Sequence, residues 1–169
     1  MQPTKRPHPV SNNRGGLVIV LTLALGLALR ILPLPDTLQL LNPDWLLLIF
    51  IYWCITLPDR AGIGTAWFLG LLADVISGQL LGQQAFIYCL IAYICLRFHQ
   101  RLRLFPMPQQ MVIILLLLFL GKTVNFWVIS LYSQPIEGIQ FWITPFVAIL
   151  FWPVLYLLLR QLRRAYHVQ

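Results

Sequence analysis

Few residues of this chain belong to the types that perform chemistry. Its 169 residues include five acids, three histidines and three cysteines. An intramembrane carboxylate dyad needs two neighbouring acids, and the predicted apolar helices offer Asp74 alone. A serine mechanism needs a neighbouring base, yet His8, His99 and His167 all fall in polar segments. We therefore predict that the chain is not an enzyme and has no catalytic residues.

The sequence also lacks the residue patterns that are typical of metal, cofactor and nucleic-acid sites. Cys54, Cys89 and Cys95 fall within predicted helices, without the spacing of a metal site, and are typical of small buried apolar residues. The glycines precede no strand-to-helix turn of the kind that binds phosphate. The net charge of +7 is dispersed along the chain instead of forming one basic surface. We expect no metal, no cofactor and no nucleic-acid partner.

The elements that position these residues are apolar helices. The chain is 59% hydrophobic and 10% charged, whereas soluble domains are about 25% charged. Crossing a bilayer takes about 20 apolar residues, and six segments qualify as candidates: 17–35, 43–57, 61–77, 84–97, 110–132 and 139–159. The prediction is an all-α, polytopic integral membrane protein with six transmembrane helices. They form one membrane domain over 15–160, between a disordered, basic, proline-rich tail (1–14) and a basic tail (161–169).

The basic residues predict the orientation of these helices. Ten of the twelve lie on one side if both termini are cytoplasmic: Lys5, Arg6, Arg14, Arg60, Arg97, Arg101, Arg103, Arg160, Arg163 and Arg164. The opposite loops then carry Asp36, Asp44 and Glu137 without a base, as the positive-inside rule requires. The basic loop 97–103 and the tail with Arg160, Arg163 and Arg164 form a cytoplasmic basic surface. This surface either binds anionic membrane lipid or acts only as a topology determinant.

Small residues recur every fourth position along the third predicted helix. The stripe consists of Gly62, Ala66, Gly70, Asp74, Gly78 and Gly82. Helices in a bilayer pack through small residues because lipid provides no hydrophobic drive between them. The stripe therefore predicts a helix-packing surface, and it either packs internally or receives the helix of a partner.

Three ionisable side chains fall deep within the predicted helices. Asp74 lies about 21 Å along its helix from Arg60, and Lys122 lies about 20 Å from Gln109, which places the two at similar depth. We predict a buried polar cluster of Asp74, Lys122, Asn125 and Arg30. The alternative is that Arg30 and Lys122 extend to the external headgroups while Asp74 is neutral or bonded to backbone.

The second predicted helix is shorter than a bilayer is thick. Asn42, Pro43 and Asp44 give a strong helix-start signal, and Pro58 ends the segment. The predicted helix, residues 43–57, has 15 residues and would be about 22 Å long. Either the preceding residues dip in beside the helix or the bilayer thins, and a water-facing vestibule could form there.

Several segments together resemble the family of rod shape-determining protein MreD. They are residues 42–45 (NPDW), 57–64 (LPDRAGIG), 70–78 (GLLADVISG), 81–82 (LG) and 151–153 (FWP) before the basic tail. The resemblance extends from about Arg30 to the C-terminus. Lys122 is not part of it.

The resemblance implies a function. Proteins of that family are inner-membrane components of the bacterial elongation machinery, which controls cell shape and peptidoglycan synthesis. The resemblance therefore implies that this chain is a non-enzymatic scaffold that binds MreC and works with MreB, RodA and a penicillin-binding transpeptidase. A second interpretation stays open, because the membrane substrate-binding subunit of a small-molecule importer would also use six helices and an outward-facing polar cluster.

Overall fold

The computed structural model describes residues 13–31, 42–78, 80–131, 138 and 140–166. These residues form six α-helices and no strand: α1 Asn13–Ile31, α2 Trp45–Thr56, α3 Ile63–Ser77, α4 Gln83–Leu104, α5 Met107–Leu131 and α6 Gln140–Ala165. The predicted all-α class is confirmed, and each helix overlaps one predicted segment. Most of the predicted N-terminal tail lies outside the described residues, as do Asp36 and Glu137.

The ends of α4 and α6 correct two predicted boundaries. Residues 97–103, predicted as a loop, are helical, because α4 continues to Leu104 and only two residues separate it from α5. The segment contains three Arg, one Leu and one Gln, which favour helix, and Pro106 prevents its continuation. Likewise α6 continues to Ala165, so Arg163 and Arg164 lie in its last turn instead of a tail. Basic residues in the last turn of a helix interact favourably with the negative, C-terminal end of the helix dipole.

The short helix α2 is the centre of the molecule. Eleven of its twelve residues are buried, and it packs against α1, α4 and α6. Its apolar residues surround the helix axis, as expected for a helix buried on all sides. Close contact with α1 depends on Gly26, where a Cβ atom would lie 3.1 Å from the Leu46 Cα. The Trp53 indole donates a hydrogen bond of 2.9 Å to the Thr22 hydroxyl, so the apolar centre leaves this polar group satisfied.

The longest helices expose their apolar side chains. Among the described residues, α5 and α6 are long and apolar enough to cross a membrane. Only 28% and 22% of their most apolar 18-residue stretches are buried inside the protein. The core helix of a soluble protein would be mostly buried, whereas here Trp127, Leu131 and Leu150 face outward. The segments within α1, α2 and α3 are shorter apolar helices. An apolar exterior around a helical core fits a membrane protein, and six crossings with cytoplasmic termini stay a prediction.

Candidate functional site

The Asp74 carboxylate caps the first turn of α4. Its side chain is fully buried. Its two oxygens accept hydrogen bonds from the backbone amides of Gly82 at 2.8 Å, Gln84 at 2.7 Å and Ala85 at 3.3 Å. The first amides of a helix have no partner within it, and the helix dipole favours a negative charge at this end. Asp74 is therefore bonded to backbone, which is the alternative that the sequence left open.

The small residues of the predicted stripe have different roles. Ala66 and Gly70 are buried on the face of α3 that bears Asp74. At Gly70 a Cβ atom would lie 2.3 Å from the Ala85 Cα, so the backbones of α3 and α4 touch. Gly62 precedes α3, with open space around it. The stripe is thus shorter than predicted, and at Gly70 it packs internally.

Gly78 and Gly82 belong to the turn between α3 and α4. Their φ angles are 61° and 100°, a left-handed region that favours glycine. The turn therefore ends the stripe, because it takes the chain away from the face of α3 that holds Ala66 and Gly70.

Arg30 joins four helices at the same end of the molecule. Its guanidinium forms an ion pair of 2.9 Å with Asp44, and its Nη2 donates to the Ser77 hydroxyl at 2.9 Å. The Tyr88 hydroxyl of α4 also donates to Asp44, at 3.1 Å. Asp44 in addition caps α2 by accepting from the Leu47 amide. Sequence reasoning missed Asp44 and Tyr88 as partners of Arg30. It took Asn42 as the capping residue and Asp44 as an acid of the first turn, whereas the structure makes Asp44 the N-cap.

Lys122 and Asn125 contact other groups on α4 and α6. The Lys122 ammonium lies 4.2 Å from the centroid of the Phe141 ring. The Asn125 side-chain oxygen accepts a hydrogen bond from the Gln83 side-chain amide. Between described residues the ion pair is Arg30 with Asp44, and Asp74 and Lys122 do not form one. The predicted single cluster is thus divided into separate contacts, because the amides of α4 lie closer to Asp74 than any base.

Several of the residues that make the contacts of Arg30, Lys122 and Asn125 line a cavity of about 790 Å³. It lies beside the start of α2, where the sequence suggested a vestibule. Its described lining is polar at Arg30, Asn42, Asp44, Gln83, Gln84, Lys122, Asn125 and Thr144, and otherwise consists of glycine and apolar residues. This volume falls within the range of about 300–1,000 Å³ that is usual for small-molecule sites. The cavity is the candidate site of the molecule.

The predicted basic surface lies at the C-terminal ends of α4 and α6, away from the cavity, which is lined by the first turns of both helices. Arg97, Arg101, Arg103, Arg160 and Arg164 are exposed on these helices, and Arg163 is half-buried. No group of three or more potential metal ligands occurs among the described residues. The six arginines therefore place positive charge at the end of the molecule away from the cavity.

Comparisons with known proteins agree with the residue pattern. The family model described as rod shape-determining protein MreD matches residues 12–162. A curated relative, the rod shape-determining protein MreD of Haemophilus influenzae, is 32% identical over 137 residues, which cover 80% of this chain and 84% of the relative. No solved structure matches the chain.

Proposed function

The chain belongs to the MreD family of rod shape-determining proteins, and from that premise we propose that it is a non-enzymatic scaffold of the cell-elongation machinery. In this proposal it binds MreC in the bacterial inner membrane. It thereby links MreC to MreB, RodA and a penicillin-binding transpeptidase during peptidoglycan synthesis. Family membership itself supports the coarser function, which is a part in determining rod shape.

The observation that carries the scaffold proposal is the outer face of α3. Close packing on α4 uses one face of α3, and the other leaves Trp67, Phe68 and Val75 exposed by 56%, 59% and 66%. A bitopic partner has a single helix, so contact in the bilayer depends on van der Waals packing against a fixed surface. Because Gly70 and Asp74 hold α3 against α4, this face is rigid. We expect it to receive the helix of MreC.

The proposed orientation has six crossings with both termini in the cytoplasm. The basic ends of α4 and α6 support it, because the positive-inside rule places such residues on the cytoplasmic side. In this orientation the same surface would face MreB filaments or anionic lipid. Labelling of single cysteines introduced at Arg103 and Arg164 should occur only after the inner membrane is permeabilised, and labelling of either in intact spheroplasts would contradict it.

Photo-crosslinking and depletion test the scaffold proposal. A photoreactive residue at Trp67 or Val75 should crosslink to MreC in cells, whereas one at Leu116, exposed on α5, is the matched control. Depletion should abolish rod shape, and Trp67→Ala combined with Val75→Ala should fail to restore it while Leu116→Ala succeeds. Crosslinking from Leu116 alone would assign the partner to α5. Normal shape on depletion would refute the function.

The importer interpretation has one observation in its favour, which is the cavity beside α2. If the chain captured a nutrient, depletion would abolish uptake of that nutrient and leave the cells rod-shaped. Loss of shape without loss of uptake would exclude it.

A further inference from the structure

The cavity has two chemically different sides. The polar side comes from the end of α1 and from the starts of α2 and α4, with Arg30, Asp44 and Gln83 among its residues. The helix α6 contributes Phe141, Pro145 and Ala148, together with Thr144. The lining of α5 is mixed, because Leu118, Phe126 and Ile129 accompany Lys122 and Asn125. An occupant that matches this lining has a polar part and an apolar part.

The polar side presents both signs of charge within one short distance. The Arg30 guanidinium and the Asp44 carboxylate are 2.9 Å apart and remain 17% and 28% exposed. The carboxamides of Gln83 and Asn125 lie on the same lining. Arg30 is paired with Asp44, and Gln83 with Asn125, yet the two ions stay partly exposed and can each take a further polar contact from an occupant. The other cation of the described lining, Lys122, lies over the Phe141 ring. At the Arg30–Asp44 pair, a head that carries both a cation and an anion is complementary to the lining.

The apolar side points to the source of the occupant. The helices α5 and α6 line the cavity with one face and expose large apolar side chains, such as Leu116 and Leu150, on the other. A membrane lipid would therefore approach along helices that already face its acyl chains.

We propose that the cavity binds one zwitterionic phospholipid. The phosphate lies against Arg30, the ammonium lies against Asp44, and one acyl chain follows the apolar wall of α5 and α6. The site is independent of the proposed contact with MreC, which uses the outer face of α3.

Native mass spectrometry of the full chain in nanodiscs tests the proposal. With phosphatidylethanolamine and phosphatidylglycerol in equal amounts, we expect one retained phosphatidylethanolamine, preferred about tenfold, which corresponds to about 1.4 kcal/mol. Ala148→Trp, which fills the cavity from its apolar wall, should reduce this retention about tenfold. Leu150→Trp is the matched control, since Leu150 is on the same helix but faces outward with 73% exposure.

A second variant keeps the test decisive if Ala148→Trp fails to fold. Ile129 lines the cavity from the last turns of α5. The substitution Ile129→Trp should therefore also reduce retention of the lipid. Equal retention of both lipids would overturn the proposal, as would a preference for phosphatidylglycerol. Retention that neither cavity variant reduces, or retention of a molecule that is not a lipid, would overturn it as well.

Discussion

The α3–α4 hairpin and the α5–α6 pair are held together by different means. In the hairpin the backbones touch at Gly70 and a buried carboxylate caps the second helix. The α5–α6 pair packs through aromatic rings instead, with ring centroids of Phe119 and Phe146 5.3 Å apart and those of Phe126 and Trp142 5.8 Å apart. The first interface leaves no room for a methyl group, whereas the second consists of side chains that can rotate.

This difference indicates where the molecule is rigid and where it can adapt. Backbone contact requires one separation between helices, because the main chain cannot move aside as a side chain can. Ring contacts tolerate a range of offsets and angles. The hairpin is therefore suited to present a fixed surface, and the cavity lies along the more adaptable pair.

The largest effect is expected from Asp74→Ala, which should lower the free energy of unfolding by about 4 kcal/mol. The substitution leaves the buried amides of Gln84 and Ala85 and the part-buried amide of Gly82 without their acceptor, at about 1–3 kcal/mol for each unsatisfied group. Unfolding in mixed micelles measures the change, and Asp59→Ala at an exposed position is the control. Equal stability of the two variants would mean that the carboxylate does not hold the hairpin.

A charge exchange sharpens the assignment of Asp74. If the partners of Asp74 are backbone N–H groups, Asp74→Lys combined with Lys122→Asp should be no more stable than Asp74→Lys alone. The N–H groups and the introduced ammonium are all donors, so they cannot hydrogen-bond to each other. The same unfolding measurement applies. Rescue by the second substitution would restore the ion pair that the sequence predicted and refute the capping role.

The next effect is that of Gly70→Ala, with an expected loss of about 2–3 kcal/mol. The added Cβ would lie 2.3 Å from the Ala85 Cα, so the two helices must separate. Gly64→Ala is a matched control on α3, because open space surrounds that position. A Gly70 variant as stable as the Gly64 variant would show that the hairpin is looser than its geometry indicates.

A smaller effect is expected from Arg30→Met, about 1 kcal/mol, because the ion pair is only partly buried and Asp44 keeps its bonds to Tyr88 and to the Leu47 amide. The arginine side chain retains 17% exposure, and its contacts to Asp44 and Ser77 are screened in part. A double-mutant cycle with Ser77→Ala, read by unfolding, should give a coupling energy below that value. Coupling of several kcal/mol would mean that this end of the bundle is as rigid as the hairpin.

The smallest effect is expected from Gly121→Ala on α5. Its Cβ would meet only the side-chain atoms Ile87 Cγ2 at 3.1 Å and Ile91 Cδ1 at 3.3 Å, and alanine favours helix over glycine by about 1 kcal/mol. The net change in unfolding free energy should be close to zero. A loss as large as that of Gly70→Ala would mean that α5 packs on α4 as closely as α3 does.

The predicted segments show what local pattern can and cannot provide. Hydropathy located all six helices, yet it ended α4 at 97, because hydropathy does not register a helix that continues as a polar one. Counting residues placed Asp74 and Lys122 at similar depth. Depth along a helix axis says nothing about the direction in which a side chain points across the bundle, so the predicted pair did not form.

Composition, charge distribution and small-residue spacing by themselves determined the helical class, the number of apolar segments and the close-packed face of α3. These properties depend on residues near one another in the chain. Only the tertiary structure decided that Asp74 caps α4, that Arg30 pairs with Asp44, and that a cavity lies beside α2. Those outcomes depend on which helices are neighbours and how each is rotated, and both are set by packing of the whole bundle at once.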